Sequence, residues 1–221
     1  MIEADAAKLA QSIARDFPQA REPKVRARPL TTPAKIIDCV LSLRKPYNTV
    51  VVPRVTKFLD THPEARTCED LRAVMATHSS PAAFVASELQ MNSPRKAEMI
   101  VGVVEYLLDA QSKFTASTED DRLMEWAKSA RPTEYLLMDV PNFKLAGFQY
   151  LRMHFGADTV KPDVYILRYV ETALDRAIEG KPHREVQAVY ALERASELLG
   201  RKARSVDASI WESATDQSLP S

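Results

Sequence analysis

Three times in this chain a small hydroxyl residue is followed directly by proline and then by an apolar run with helical spacing. Thr32-Pro33 precedes IIDCVLSL, Ser80-Pro81 precedes AAFVASEL, and Ser93-Pro94 precedes a run reaching about Phe114. A hydroxyl before a helix can accept one of the N–H groups that the first turn leaves free. Proline there lacks the N–H that would go unused, and its φ is already helical. Ile100, Val103, Val104, Leu107 and Leu108 then fall on one side of the third run. Only five glycines occur, and no long stretch alternates apolar with polar. The expected fold class is all-α.

The rest of the chain fits that reading. Residues 3–17 form an amphipathic helix with Ala6, Leu9, Ile13 and Phe17 on one face, ending at Pro18. A basic connector carries Lys24, Arg26 and Arg28. VVVP at 50–53 could mimic a strand, but RVTKFLD after it continues with helical periodicity. A helix over 118–129 holds Leu123, Met124 and Trp126, and Pro132-Thr133-Glu134 opens a short helix, EYLLM. After a turn at Asp139-Val140-Pro141-Asn142 comes an apolar helix over 143–155, stopped at Gly156. Pro162 starts another, running to Gly180, and helices over 182–199 and 205–214 precede a disordered tail over 215–221. Ten to twelve short helices are expected.

Composition narrows the chemistry. Thirty basic and thirty acidic residues cancel, at a pI near 6.9. A nucleic-acid partner would therefore need a local basic face. Cys39 and Cys68 are too few for a four-cysteine metal or iron–sulfur site, and Cys39 reads as core. His62, His78, His154 and His183 lack metal-ligand spacing, so no metal and no cofactor are expected. The N-terminus does not read as a signal peptide, and no apolar run approaches the roughly 18 residues of a membrane span. There is no Gly-rich phosphate loop, and no Ser-His-Asp or Cys-His arrangement stands out. Trp126 and Trp211 read as core, and the cluster Arg201-Lys202-Ala203-Arg204 as a solvated helix start.

The segment 136–168, LLMDVPNFKLAGFQYLRMHFGADTVKPDVYILR, carries the chemistry. A short helix, a tight turn and a second helix would point free N–H groups outward at one helix N-terminus, where phosphate binds. Asn142 suits the left-handed backbone of such a turn. After Gly156 a short loop delivers Asp163 to the start of the next helix, whose dipole favours the ionised carboxylate. A carboxylate there is an ordinary helix-start residue. Held beside bound DNA, it would also stabilise positive charge on a sugar as a base departs.

This block resembles the hairpin and Asp loop of the helix-hairpin-helix DNA glycosylases, the superfamily of endonuclease III. Val140-Pro141-Asn142-Phe143-Lys144-Leu145-Ala146, Phe155-Gly156 and Pro162-Asp163-Val164-Tyr165-Ile166-Leu167-Arg168 are similar to its ordered motifs. So are Lys96-Ala97-Glu98 with Ile100, the helix from Ile37 to Ser42, and Asp207 with Trp211. The likeness covers roughly 32–214. It implies a two-lobed fold: a six-helix lobe over 32–155, and a second lobe from 1–31 and 156–214. It also implies a monomer that binds double-stranded DNA across the cleft between lobes and flips out a damaged or modified base. Asp163 would be the catalytic carboxylate, Asn142, Phe143 and Lys144 the hairpin contacts, and Tyr165 part of the base pocket. A DNA repair enzyme of this kind works in the cytoplasm, with the nucleoid, in a bacterium, and in the nucleus of a eukaryote.

The chain departs from the pattern in informative ways. Neither hairpin glycine is present. Arg44 stands where a glutamine commonly fills the gap left by the flipped base, and Tyr47 follows as a second candidate DNA contact. Aligned on Lys144-Leu145-Ala146, Lys144 occupies the position of a Schiff-base lysine; aligned on Val140-Pro141, Ala146 does. Both a lysine and a water mechanism follow from the sequence. So does a DNA-binding or protein-interaction relative without catalysis.

Overall fold

The structure, a computed structural model, describes residues 2–19, 21, 28–178 and 183–216. Lys24, Arg26, Gly180 and the end of the tail lie outside the described residues, as does the His183 side chain. In chain order the helices are α1 (Ile2–Asp16), α2 (Thr32–Ser42), α3 (Val52–Thr61), α4 (Cys68–Ala76), α5 (Pro81–Glu88), α6 (Pro94–Gln111), α7 (Glu119–Ser129), α8 (Leu145–His154), α9 (Val164–Leu174), α10 (His183–Leu198) and α11 (Ala203–Asp216). A π-helical turn, Tyr47–Val51, leads into α3, and a 3-10 helix, Pro132–Leu137, precedes α8. No strand occurs among the described residues, and none of their helices is long and apolar enough to cross a membrane. The chain is all-α.

It divides into two compact units, Ala27–Gly156 and the pair Met1–Arg26 with Ala157–Ser221. In the first, α2 is the central helix. Ile36, Ile37, Cys39, Val40 and Leu41 are fully buried, and α2 packs on α3, α4, α6 and α8. Each such Ile or Leu contributes about 2 kcal/mol of burial. Lys96 of α6 is itself buried and donates to the carbonyls of Val40 and Leu43, the latter at 2.9 Å. Its charge thus sits at the negative end of the α2 dipole. Arg152 of α8 does the same for α7, donating to the Ala127 carbonyl at 3.0 Å. Tyr106, Trp126, Phe148 and Phe155 meet edge to face at centroid distances of 5.8–6.5 Å, so Trp126 is core.

In the second unit α1 lies along α10, burying Ala6, Leu9 and Ile13. The Lys8 ammonium donates to the Leu174 carbonyl at 2.7 Å and closes the end of α9. There α9 stops, short of Gly180, because Asp175 takes the left-handed conformation, φ 55°, and caps it. Trp211 is only partly buried.

Proline marks each of the three starts, but the hydroxyl works at only one. Ser80 accepts from the Ala83 N–H at 3.1 Å. Thr32 is already helical, Thr31 standing before it without a side-chain cap bond, and Ser93 makes none. The helix α4 begins at a capping box that sequence reading passed over: Thr67 accepts from the Asp70 N–H, and Asp70 accepts from the Thr67 N–H.

Candidate functional site

The loop between Gly156 and α9 is fastened at close intervals. Gly156 turns the chain at φ 95°. Asp158 accepts from the Arg204 N–H at 3.0 Å, where α11 begins. Thr159, fully buried, donates to Glu193 of α10 at 2.6 Å. The Lys161 N–H donates to Asp207 of α11 at 2.7 Å, and the Lys161 carbonyl accepts from the Asp163 N–H at 2.7 Å. Pro162 is buried.

Asp163 follows as the N-cap of α9. Its Oδ1 accepts from the N–H groups of Tyr165 and Ile166 at 2.9 and 3.2 Å. Its Oδ2 accepts nothing from the described residues, and the side chain is partly exposed. One oxygen is therefore fixed by the helix, and the other has no partner among the described residues. Tyr165 is partly buried, with no hydrogen bond to its hydroxyl among the described residues, and Val164 beside Asp163 is 60% exposed. Asp207 has its carboxyl enclosed although the residue as a whole keeps some exposure. Burial raises its pKa to about 7, and the charge of Asp163 adds to the rise, against the Lys161 hydrogen bond. Sequence reading noted Asp207 only as part of a motif; its enclosure depends on a loop 46 residues away.

The hairpin lies in the other unit. Asn142 is exposed and left-handed, φ 65°, and Asp139 is left-handed as well, φ 47°. The helix α8 starts at Leu145, two residues later than the spacing suggests, because Phe143 belongs to the turn. Phe143 is 4% exposed, and its N–H donates to the Val140 carbonyl at 3.1 Å. It thus offers neither ring nor N–H to DNA, which corrects its place among the hairpin contacts. Lys144 is the N-cap of α8, exposed, its ammonium without a partner among the described residues. The N–H groups of Leu145, Ala146 and Gly147 likewise have no acceptor among them. Asn142 and Lys144 therefore flank an open helix N-terminus.

Two glycines seat this turn. A Cβ on Gly147 would lie 2.9 Å from the Phe143 ring, and one on Gly102 of α6 would lie 2.9 Å from a Val140 methyl. The adjacent Leu136 and Leu137 are 63% and 75% exposed.

Arg44 sits in the same unit, exposed and left-handed at φ 64°, in the loop after α2. The residues around it are pinned: the Leu43 carbonyl by Lys96, and Tyr47 by a hydrogen bond from its hydroxyl to Asp38 at 3.1 Å. Arg44 and Lys45 project between them. A non-glycine residue at positive φ costs about 1 kcal/mol and is tolerated where the surroundings over-determine it. Tyr47 is less free than its sequence position suggests, since the hydroxyl is engaged inside.

Asp38 itself was not legible. It is fully buried in an apolar helix and also accepts from Tyr150 and His154, each at 3.0 Å. His154 is therefore tied to a carboxylate rather than simply packed. A second cluster joins His62 and His78 through Glu88, at 3.0 and 3.2 Å. Burial alone would raise the Glu88 pKa, but the two histidines outweigh it and hold it below the ordinary value. No group of three or more His, Cys, Asp or Glu among the described residues is placed to hold a metal ion. Both cysteines are buried and neither forms a disulfide, and burial, with Glu119 beside it, pushes the Cys68 thiol up, away from reactivity.

Fold and site together define an all-helical protein with an acid-capped helix fed by a tightly held loop, and with an open, lysine-flanked hairpin. A family model described as a domain of unknown function (DUF8548) matches residues 7–215, and the chain belongs to that family. No curated protein and no solved structure matches it.

Proposed function

We propose that this chain is a DNA N-glycosylase of base excision repair, with the two-lobed helix-hairpin-helix plan and Asp163 as its catalytic carboxylate. The observation that carries the reading is the half-anchored Asp163: Oδ1 is held by two N–H groups of α9, and Oδ2 is unoccupied by the described residues. The substrate is double-stranded DNA with a damaged or modified base turned out of the stack. As the C1′–N bond breaks, its electron pair leaves with the base, and Asp163 stabilises the sugar cation. Water guided by Asp163 adds to C1′ and gives up a proton, and the departing base takes one up. The open N-terminus of α8, with Asn142 and Lys144, supports phosphate binding. Arg44, projected by its pinned loop, supports a contact at the gap left in the duplex. Tyr165 would line the base pocket.

Asp163→Asn tests the reading. Asparagine caps a helix about as well as aspartate, so the variant should lose well under 1 kcal/mol of stability. Base release from uracil, alkylated, oxidised and mismatched duplexes should fall below detection. Full base release by this variant would remove Asp163 from the chemistry. Borohydride treatment during turnover should trap no covalent protein–DNA adduct; an adduct lost in Lys144→Ala would assign the step to the lysine amine instead.

One observation favours a second reading, a DNA-binding or protein-interaction protein without catalysis. The hairpin has lost both glycines, and Phe143 has turned its ring and N–H inward. Salt-dependent duplex binding with no base release from any substrate would select a DNA binder. No binding at low salt would select a protein-interaction role.

A further inference from the structure

The loop that presents Asp163 is governed from α11. Asp207 holds the Lys161 N–H at 2.7 Å, the Lys161 carbonyl holds the Asp163 N–H at 2.7 Å, and Asp163 Oδ1 holds the first turn of α9. The three links form one unbroken chain from α11 to the free oxygen of Asp163. We propose that Asp207 is a positioning residue for Asp163, setting the place of that carboxylate; the proposal rests on the glycosylase reading above.

Two features single Asp207 out from the other ties of the loop. The links at Asp158 and Thr159 lie upstream, and neither reaches Asp163 through a neighbouring peptide. Asp207 does, and it is also the acid on which the charge of Asp163 acts. The charged groups around it are few. Asp163 and Lys161 come from the loop. Glu193 of α10 is occupied by Thr159, and at the start of α11 it is the Arg204 backbone that binds Asp158. A carboxyl so enclosed holds the Lys161 N–H, and through the Lys161 peptide it holds the backbone that carries Asp163.

The test uses the full chain and two kinds of measurement. Asp207→Ala removes the acceptor and should lower base release roughly 10- to 100-fold through misplacement of Asp163. Asp207→Asn keeps an acceptor for the Lys161 N–H and should recover most of that loss. Independently of activity, carboxyl-carbon NMR on 13C-aspartate protein should place the Asp207 midpoint near 7, and lower it in Asp163→Asn, where the like charge is gone. The Lys161 amide resonance should shift with the same midpoint. An Asp207 midpoint unchanged in Asp163→Asn, or a Lys161 amide indifferent to Asp207→Ala, would overturn the positioning role. Wild-type protein that releases no base from any duplex would defeat the glycosylase reading instead, and the NMR arm would still decide the coupling.

Discussion

An ionised Asp207 is costly to this protein, because its carboxyl is enclosed and the charge of Asp163 acts on it. Its pKa is about 7 when folded, against an ordinary 3.8. Between those values the folded chain keeps a proton that the unfolded chain has released, so stability falls as pH rises through that window. Asp70 has the opposite sign. Its pKa is lowered chiefly by the Arg66 N–H, against some burial and with help from Thr67; it supports the fold above 3.8 and loses that support as acid protonates it. Urea denaturation should therefore show wild type losing ground to Asp207→Asn from about pH 4 to pH 7. The slope should approach, at most, about 1.4 kcal/mol per pH unit. A gap that stays constant across this range would mean that Asp207 titrates normally.

At the scale of elements, the hairpin shows which parts of a fold a sequence can announce. A proline that falls inside a helix marks its first turn, where its missing N–H is tolerated, and Pro33, Pro81 and Pro94 all sit there. Asn142 was legible as a left-handed residue, and φ 65° agrees with that. The inward turn of Phe143 was not, because it depends on Gly147 leaving room four residues later. The Asp38 cluster was hidden for a related reason: its partners come from 9, 112 and 116 residues away, and no local pattern joins them. Likewise α9 is read too long: aspartate tolerates left-handed backbone, but Asp38, Asp60 and Asp109 sit inside helices, so residue type alone does not mark Asp175 as the cap. Gly147→Ala tests the seat of the turn. Alanine gains about 1 kcal/mol of helix propensity, while forcing the Phe143 ring aside costs about 1–3 kcal/mol. A net loss of about 1 kcal/mol is expected, read as a lower urea midpoint at unchanged m-value. A gain in stability would show that the ring moves freely.

For the molecule as a whole, thirty basic and thirty acidic residues cancel, so no net charge favours a polyanion and the proposed phosphate contact would fall to a local feature, the α8 N-terminus. The two units differ in how the chain makes them. Ala27–Gly156 is one continuous stretch, whereas its companion is assembled from segments on either side of that stretch. Residues 27–156 expressed alone should keep a helical circular dichroism spectrum and melt in a single cooperative step. A gradual, featureless melt would show that this core depends on the rest of the chain. During synthesis the same layout imposes an order. The greasy stripe of α1, with Leu9 and Ile13, leaves the ribosome before the other described helices, and its resting place against α10 is translated more than 160 residues later. Until then the nascent protein carries an orphaned helix, and a chaperone that recognises short apolar stretches has a binding site there for as long as translation lasts.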